Sequence, residues 1–363
     1  MDNQNETICE HPELSNEQNG FINTYVLLVE IGGNLFAGGI GVALNLITII
    51  VLSSSKMRNN VFNRLLICLA VFDNLYLFCE ISEVFRVWTR AFLLQHIFAR
   101  FVYPVRSIFM CSSIYMNIAL ASERYHAIIY PAEYRVRKTT NMTRQLLNYI
   151  MPVFILSFVY YTPKFFDLEV KETLECANNI ISTESMKALN QSKDRRNCSL
   201  KYSLAPTELR INPNYLLWYM NISNFFITAF VPITILVYLN LNVYLSMKKF
   251  LKRRPSSFRS FKSMKSYQSQ QSADVKKTFI LFSIVFVFIF CHSLRLILNV
   301  DELLRLGSFQ DEDQNRCTLS QFWEEILIPL NQLLLIINSS AHFFIYVFFD
   351  TEFQQVLKEL FTT

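Results

Sequence analysis

Residues 277–304 read K-T-F-I-L-F-S-I-V-F-V-F-I-F-C-H-S-L-R-L-I-L-N-V-D-E-L-L, and the part from Thr278 to Leu294 contains no Asp, Glu, Lys or Arg. A bilayer core about 30 Å thick requires roughly 20 mostly apolar residues for one helical crossing. The apolar run shows no period-2 alternation, so it favours a helix over a strand of a closed barrel. Residues 277–304 are therefore a predicted membrane-spanning helix.

Six further stretches of the chain have the same apolar character. The sequence is 52% hydrophobic, and only 17% of its 363 residues are charged, against about 25% in ordinary soluble proteins. This composition excludes a disordered chain and a small disulfide-stapled domain. We predict an all-α membrane protein, a seven-transmembrane helix bundle that occupies residues 25–349. The six further spans are predicted at 25–52, 61–87, 97–130, 145–162, 215–247 and 322–349.

Lys and Arg are concentrated in alternate connectors between the predicted spans. The first 55 residues contain neither, whereas 56–58, 135–144 and above all 248–276 are basic. Basic short loops stay on the cytoplasmic side of a membrane. The pattern predicts a plasma-membrane protein with an extracellular N-terminus at 1–24, a basic third cytoplasmic loop at 248–276 and a cytoplasmic C-terminus. Because apolar spans bracket that loop, we expect it to contact the lipid bilayer and not nucleic acid.

The predicted extracellular side carries cysteines and glycosylation acceptors. Its longest connector, at 163–214, could hold a two-stranded hairpin. Cys9, Cys176, Cys198 and Cys317 lie in an oxidising environment and allow three pairings, among which the sequence does not choose. Local closure favours Cys176–Cys198, which leaves Cys9 for Cys317. The predicted N-glycosylation acceptors are Asn5, Asn190 and Asn197.

Polar side chains inside the spans indicate function, because they are costly at membrane depth. Asp73 lies in the second span, Asn45 in the first, Ser113 in the third and Asn338 in the seventh. These oxygens could hold a Na⁺ ion, or the carboxyl could change protonation with conformation. The alternative is polar contacts that only join helices. No other cofactor is predicted.

Short motifs in order along the seven spans resemble those of rhodopsin-family (class A) G-protein-coupled receptors. They include L-A-x-x-D at 69–73, E-R-Y at 123–125 and Tyr346 at the end of the last span. The finer pattern resembles invertebrate FMRFamide-type neuropeptide receptors. The stretches that carry it are N-V-F-N-R-L-L-I-C-L-A-V-F-D-N-L-Y-L at 60–77, P-K-F-F-D at 163–167, C-H-S-L-R at 291–295 and N-S-S at 338–340.

The resemblance implies a cell-surface receptor that binds an amidated peptide outside and activates heterotrimeric G proteins inside. It places Asp274 where the family has an acidic partner of the E-R-Y arginine in the inactive state. We therefore expect an Arg124–Asp274 pair that breaks as the sixth span moves outward. The residues assigned to this switch are Glu123, Arg124, Tyr125, Asn240, Asp274 and Tyr346.

The sequence also departs from the family pattern. Ala99 stands where family members have the cysteine of the common extracellular bridge, and His292 stands where the sixth span has tryptophan. His342 and Phe343 replace the Asn-Pro of the seventh span, and Asn240 replaces a tyrosine of the fifth. These changes put the usual switch mechanics in doubt. Both histidines are interpreted as hydrogen-bonded core residues.

The predicted ligand cavity contains both signs of charge. Arg106 stands where amine receptors have an aspartate and would repel an ammonium, and Ile336 stands where opsins have the retinal lysine. A peptide ending in Arg-Phe-amide offers a guanidinium to Glu80 or Glu83 and a carbonyl to Arg106 or Arg295. The alternative is internal pairing, for example of Glu83 with Arg106. The residues assigned to ligand binding are Glu80, Glu83, Arg106, Arg295, Asn299, Trp323 and Gln332.

Two other features complete the predicted organisation. Residues 350–363 place Phe353, Val356, Leu357 and Leu360 at helical spacing, which predicts an amphipathic helix on the inner leaflet. The chain has no H-E-x-x-H, Walker, G-x-G-x-x-G or G-x-S-x-G motif, so we predict no enzyme. The alternatives are a receptor for another peptide, a constitutively active receptor, or, from a different class, an ion-coupled transporter or channel that uses Asp73.

Overall fold

Seven helices of the protein are long and apolar enough to cross a membrane, as the sequence predicts. The computed structural model describes residues 16–89, 91–138, 142–176, 179–182, 198–252, 261–307 and 314–362. The seven spans, here TM1 to TM7, are Gly20–Leu52, Val61–Thr89, Phe92–Ile129, Met142–Phe166, Tyr215–Lys249, Val275–Asp301 and Glu325–Phe349.

The described residues contain twelve α-helices and three β-strands, besides short π-helical and 3₁₀ turns. The helices are α1 Asn16–Val26, α2 Asn34–Leu52, α3 Val61–Thr89, α4 Phe92–Ile97, α5 Tyr103–Ile129, α6 Pro131–Lys138, α7 Met142–Tyr161, α8 Glu208–Ile211, α9 Val231–Lys252, α10 Phe261–Gly307, α11 Gln314–Phe349 and α12 Thr351–Thr362. The strands are β1 Leu168–Cys176, β2 Asn179–Ser182 and β3 Cys198–Pro206. Wider π-helical turns cover Leu27–Gly33, Phe98–Val102, Tyr215–Ser223 and Phe226–Phe230, and a 3₁₀ turn covers Thr162–Phe166.

Several helices extend beyond the apolar stretches that predict them. The helix of TM1 begins at residue 16, inside the segment predicted as an N-terminal extension. The basic loop predicted at 248–276 is shorter, because α9 continues to Lys252 and α10 begins at Phe261. Lys, Gln and Met are good helix formers, and a helix satisfies its own backbone hydrogen bonds in water as well as in lipid. Hydropathy therefore locates the membrane crossing but not the helix end.

The bundle packs around one main apolar core and a close contact between TM1 and TM7. Leu65, Leu69 and Leu120 are fully buried in that core with Phe288. At Gly41 a Cβ atom would overlap the side chains of Ser340 and Leu77, which would have to shift, so glycine favours this approach of the two helices. The Asn45 amide donates to the Ser339 carbonyl oxygen at 2.9 Å and joins the same two helices.

A small antiparallel sheet covers one end of the bundle, here the sheet end. Its strand order is β2-β1-β3, so the loop holds three strands and not the two-stranded hairpin considered from the sequence. In the β1–β3 ladder, Cys176 lies opposite Cys198. Opposed Cα atoms in such a ladder are about 4.5–5.5 Å apart, within the range of about 4.4–6.8 Å that a disulfide spans. The register is therefore compatible with the predicted Cys176–Cys198 bridge.

The other end of the bundle carries α12 and is here the α12 end. The Asp350 side chain accepts from the backbone N–H groups of Glu352 and Phe353 at 3.0 and 3.2 Å, which caps the helix. Phe353 is completely buried against the core, whereas Phe361 is 72% exposed. With one apolar face buried and the other exposed, α12 is the predicted amphipathic helix.

Some of the predicted positions cannot be placed. Cys9, Asn5, Asn190 and Asn197 lie outside the described residues. Asp274 lies in α10 and Cys317 in α11, but their side chains are outside the described part of the structure. The Cys9–Cys317 bridge and the three glycosylation sites stay predictions.

Candidate functional site

At the α12 end, TM3 buries a pair of adjacent charged residues. Arg124 donates from Nε to Glu123 Oε2 at 2.6 Å and from Nη2 to Glu123 Oε1 at 2.8 Å. Both side chains are almost fully buried, with exposed fractions of 4% and 1%. The guanidinium carbon lies 4.3 Å from the ring centre of Phe62 on TM2, a cation–π contact. The pair is thus neutralised within TM3 and held against TM2.

Tyr134 on α6 closes this pair from the connector that follows TM3. Its hydroxyl donates to Glu123 Oε1 at 2.6 Å. Burial raises the pKa of Tyr134, and the negative charge of Glu123 raises it further. The hydroxyl therefore keeps its proton and stays a donor at neutral pH. Sequence reasoning missed Tyr134, for which the only signal was a tyrosine in a basic connector.

The other residues assigned to the switch lie around the same end of the bundle. The Tyr346 ring is buried and packs on Phe353 with 5.6 Å between ring centres, so it joins TM7 to α12. Asn240 is buried on TM5 and donates to the Leu236 carbonyl oxygen at 2.7 Å. The Tyr125 ring contacts His126 on its own helix. The Arg124–Asp274 pair stays a prediction.

In the middle of the bundle, Asp73 has a side-chain partner on each carboxylate oxygen. Ser113 donates to Oδ1 at 2.6 Å, and His342 Nδ1 lies 2.9 Å from Oδ2. Asp73 is completely buried, and the exposed fraction of His342 is 2%. His342, which departs from the family pattern, is therefore in hydrogen-bond contact with Asp73, the carboxylate considered as a Na⁺ ligand.

A Na⁺ ion at Asp73 fits these residues less well than the sequence predicts. Hard cations prefer oxygen ligands, and the imidazole nitrogen of His342 takes one of the two carboxylate oxygens. The side-chain oxygens of Asn45 and Asn338 are buried and have no hydrogen-bond partner among the described residues, so the region does offer acceptors. The Na⁺ site stays a prediction, with His342 as its competitor.

Toward the sheet end, Arg106 on TM3 pairs with two carboxylates of TM2. It contacts Glu83, and its Nη1 lies 3.4 Å from Glu80 Oε2. Glu83 also lies 3.4 Å from Arg86, which donates to Gln95 Oε1 at 3.0 Å. This is the internal pairing considered as the alternative to ligand contact.

A second group of cations surrounds the ring of Tyr103, at the start of α5. The ring centre lies 5.1 Å from Lys164 Nζ, 5.6 Å from the Arg210 guanidinium carbon and 5.9 Å from that of Arg106. Arg210 also donates to the Tyr103 hydroxyl at 3.0 Å. Nearby, the buried Asp167 accepts from the Tyr215 hydroxyl at 2.7 Å. TM3, TM4, α8 and TM5 therefore meet at this charged group.

Sequence reasoning missed the residues around Tyr103. A weak signal existed in P-K-F-F-D at 163–167, which contains both Lys164 and Asp167 at the end of the fourth span. Nothing local connects this stretch with Tyr103 or Arg210. Tyr103 lies 61 positions before Lys164 in the sequence, and Arg210 lies 46 positions after it.

The remaining residues assigned to ligand binding lie on TM6 and TM7. Arg295 donates to the Met110 sulfur at 3.0 Å, so it reaches TM3. Asn299 is half-buried, and within the described part of the chain its amide nitrogen has no hydrogen-bond partner. Trp323 is 50% exposed, and Gln332 is half-buried on TM7. The ligand-binding set is therefore divided between a tight TM2–TM3 cluster and looser positions on TM6 and TM7.

A small cavity of about 150 Å³ opens beside the Tyr103 group. It lies between TM4 and TM5 and is lined by Tyr160, Tyr161, Lys164, Tyr219, Met220 and Asn224. Lys164 thus reaches both this cavity and the ring of Tyr103.

Comparison with known proteins gives consistent matches over most of the chain. The family model described as 7 transmembrane receptor (rhodopsin family) matches residues 44–346. The FMRFamide peptide receptor frpr-18 of Caenorhabditis elegans is 26% identical over 326 residues, which cover 88% of this chain and 66% of that relative. The FMRFamide receptor of Drosophila melanogaster is 24% identical over 334 residues, which cover 89% of this chain and 52% of that relative.

The chain spans about two thirds of the length of the first of these curated relatives and about half of the second. The family model is a separate comparison, in which the length of these two relatives plays no part. It extends from TM1 to the end of TM7 and includes both buried charge clusters. The chain belongs to the rhodopsin family of seven-transmembrane receptors.

Proposed function

We propose that this protein is a cell-surface receptor that binds an amidated, FMRFamide-like peptide at its sheet end and activates heterotrimeric G proteins at its α12 end. The observation that carries the proposal is the division of buried charge. A closed Glu123–Arg124 pair lies at one end, and a mixed-charge cluster around Arg106 lies at the other. The names of both relatives support the ligand class.

The charge distribution supports the proposed orientation. Lys248 and Lys249 at the end of TM5, and Lys276, which donates to Thr351 of α12 at 3.0 Å, belong to the α12 end, and cytoplasmic loops are the ones that carry excess Lys and Arg. The sheet end would then face outward, where the Cys176–Cys198 bridge is able to form. Accessibility of an epitope tag at residue 1 on intact cells tests this orientation directly.

The coupling step is proposed from the family resemblance of Arg124 and Asp274, since the described contacts of Arg124 lie on TM2 and TM3. Movement of TM6 away from TM3 would break the proposed Arg124–Asp274 pair and open a cavity for a helix of the G protein. Asp274→Ala should therefore raise signalling without ligand. Unchanged basal signalling at equal surface expression would remove Asp274 from this role.

The proposal is tested with a library of amidated peptides. Intracellular Ca²⁺ and cAMP are measured in cells that express the chain together with a promiscuous Gα subunit. Each peptide is paired with its free-acid form, because the proposed signal is an amidated C-terminus, which lacks the negative charge of a free carboxylate. A response to amidated peptides alone supports the proposal, and signalling that no peptide changes would favour the constitutively active alternative.

The roles of Glu80 and Glu83 are tested in the same assay. If these carboxylates bind the arginine of the peptide, charge reversal at either should weaken Arg-containing agonists and spare an agonist without arginine. Equal loss for both agonists would indicate a structural role through Arg106.

Replacing Na⁺ by choline in the medium tests the proposed ion site at Asp73. The quantity measured is the affinity of the receptor for an agonist.

A further inference from the structure

We propose that Lys164 and Arg210 form an anion subsite beside Tyr103, which binds a carboxylate side chain of the ligand. This inference rests on the proposed function, because it takes the ligand to be a peptide. It adds a requirement that an Arg-Phe-amide terminus does not meet, namely an acidic residue elsewhere in the peptide.

Three cations meet at one aromatic ring, and only one of them has carboxylate partners. Arg106 is paired with Glu80 and Glu83. In the described part of the chain, neither Lys164 nor Arg210 forms a salt bridge with a carboxylate. Lys164 Nζ has the Ser107 hydroxyl at 3.2 Å, and Arg210 has the Tyr103 hydroxyl at 3.0 Å. Both cations are thus held by neutral groups.

The carboxylate nearest to them in sequence is already engaged. Asp167 is completely buried, and its Oδ1 accepts from Tyr215 at 2.7 Å. Counted together with the Arg106 cluster, the three carboxylates Glu80, Glu83 and Asp167 face the four cations Arg86, Arg106, Lys164 and Arg210. Arg295 adds a fifth cation, which donates to the Met110 sulfur. The local charge is therefore positive, which favours an anionic group of a ligand.

Lys164 is half-buried and lines the cavity between TM4 and TM5. The space there, about 150 Å³ with the open solvent included, is walled by three tyrosines as well as by Lys164. Lys164 Nζ also lies 5.1 Å from the ring centre of Tyr161. Cation–π contacts hold an ammonium in position without neutralising it, whereas a carboxylate does both.

A structural role for Lys164 is the alternative explanation. In that case the cation–π contacts only join TM4 to TM3, and removal of the charge lowers stability for every ligand state equally. The two explanations differ in selectivity, since only a subsite distinguishes an acidic ligand from its neutral isostere.

The experiment compares Glu-Phe-Met-Arg-Phe-amide with Gln-Phe-Met-Arg-Phe-amide, and the same pair with one or two glycines before Phe. One charge-assisted contact is expected to make the best Glu peptide about tenfold more potent than its Gln counterpart. Lys164→Gln should abolish that preference, and Arg210→Gln should reduce it. Lys164→Arg should keep it. The control is Lys171→Gln, which removes an exposed lysine from β1.

A second measurement separates this inference from the proposed function. The purified receptor in nanodiscs is heated with N-acetyl-Glu-Phe-amide or with N-acetyl-Gln-Phe-amide, and its Tm is recorded. A larger Tm increase with the Glu probe, absent in Lys164→Gln and present in Lys171→Gln, supports the subsite even if no peptide triggers signalling. Equal potency and equal Tm for Glu and Gln ligands with the unaltered receptor would overturn it.

Discussion

The two charged clusters at opposite ends of the bundle differ in the origin of their partners. At the α12 end, Glu123 and Arg124 are consecutive residues of one helix, and Tyr134 follows 11 positions after Glu123. At the sheet end, Arg106 pairs with residues 26 and 23 positions away on TM2. Lys164 and Arg210 then join from TM4 and α8.

The difference teaches how one bundle can hold both a latch and a binding site. A pair of consecutive residues lies on one helix, so the conformation of that helix alone brings the two side chains together. A cluster assembled from several helices with more cations than carboxylates can accept an additional anion. The predictions below alter first one cluster and then the other.

Arg124→Ala is expected to have the largest effect. It removes the cation of the closed pair and leaves Glu123 buried with only the Tyr134 hydroxyl as a recorded partner. Agonist-induced Ca²⁺ or cAMP signals should fall to the level of cells without the receptor. Surface expression, measured on an epitope tag, should stay within about twofold, since the other helix contacts are unchanged. Intact signalling would contradict the proposed switch.

Glu83→Gln should destabilise the sheet end by about 2 kcal/mol, because a hydrogen bond to a charged group contributes roughly 1.5–3 kcal/mol. Arg106 would keep only Glu80 among its two salt-bridge partners. The measurement is Tm of the purified receptor. In the double variant Glu83→Gln, Arg106→Gln, the loss should be smaller than the sum of the two single losses. Additive losses would show that the two residues do not interact.

Tyr134→Phe should have a moderate effect at the α12 end. It removes one buried hydrogen bond to Glu123, worth about 1 kcal/mol, which corresponds to roughly a fivefold shift of a two-state equilibrium. We expect basal signalling to rise several-fold, with agonist affinity at the sheet end much less affected. Tyr244→Phe, at an exposed tyrosine of TM5, is the control.

The same contact gives a pH prediction. Burial and the charge of Glu123 raise the pKa of Tyr134 above its usual value of about 10. A group whose pKa is higher in the folded than in the unfolded protein contributes its full stabilisation at pH values below the unfolded-state pKa. That stabilisation is lost as the pH rises through the folded-state pKa. The contribution of Tyr134 should therefore stay constant up to about pH 9. A difference in basal signalling between the unaltered receptor and Tyr134→Phe that disappears between pH 7 and 8 would contradict this assignment.

Lys56→Gln should have the smallest effect. Lys56 Nζ lies 2.7 Å from Glu359 Oε1, and this hydrogen bond lowers the pKa of Glu359. The side chains are 61% and 50% exposed, so water and salt screen the pair. Tm and basal signalling should both be unchanged within error. A measurable loss would mean that the attachment of α12 to the bundle depends on surface charge and not only on Phe353.

Much of the α12 end could be predicted from the sequence because its determinants are local. Glu123 and Arg124 are neighbours, and the apolar positions that begin at Phe353 follow helical spacing behind the Asp350 cap. The assignment of roles to Arg124 and Asp274 came from the resemblance, and the proposed pair between them stays a prediction. Tyr134 was missed because its hydroxyl reaches Glu123 only after the chain turns from TM3 into α6.

The sheet end and the bundle centre were less predictable because their contacts join distant parts of the chain. His342 lies 269 positions from Asp73, and no local pattern indicates that its imidazole takes a carboxylate oxygen. Glu83 and Arg106 were considered as partners only because unpaired buried charges are costly. The third strand of the sheet depends on a pairing between β1 and β2 that alternation in a single segment does not reveal.

The sequence by itself determined the seven spans, the amphipathic helix and the family resemblance. Hydropathy and helical periodicity act over one or two turns of a helix, so they are readable from consecutive residues. Only the tertiary structure decided that Lys164, Arg210 and Arg106 surround Tyr103, and that His342 contacts Asp73. The physical reason is that these contacts depend on the rotation and register of packed helices, which side chains from several helices set together.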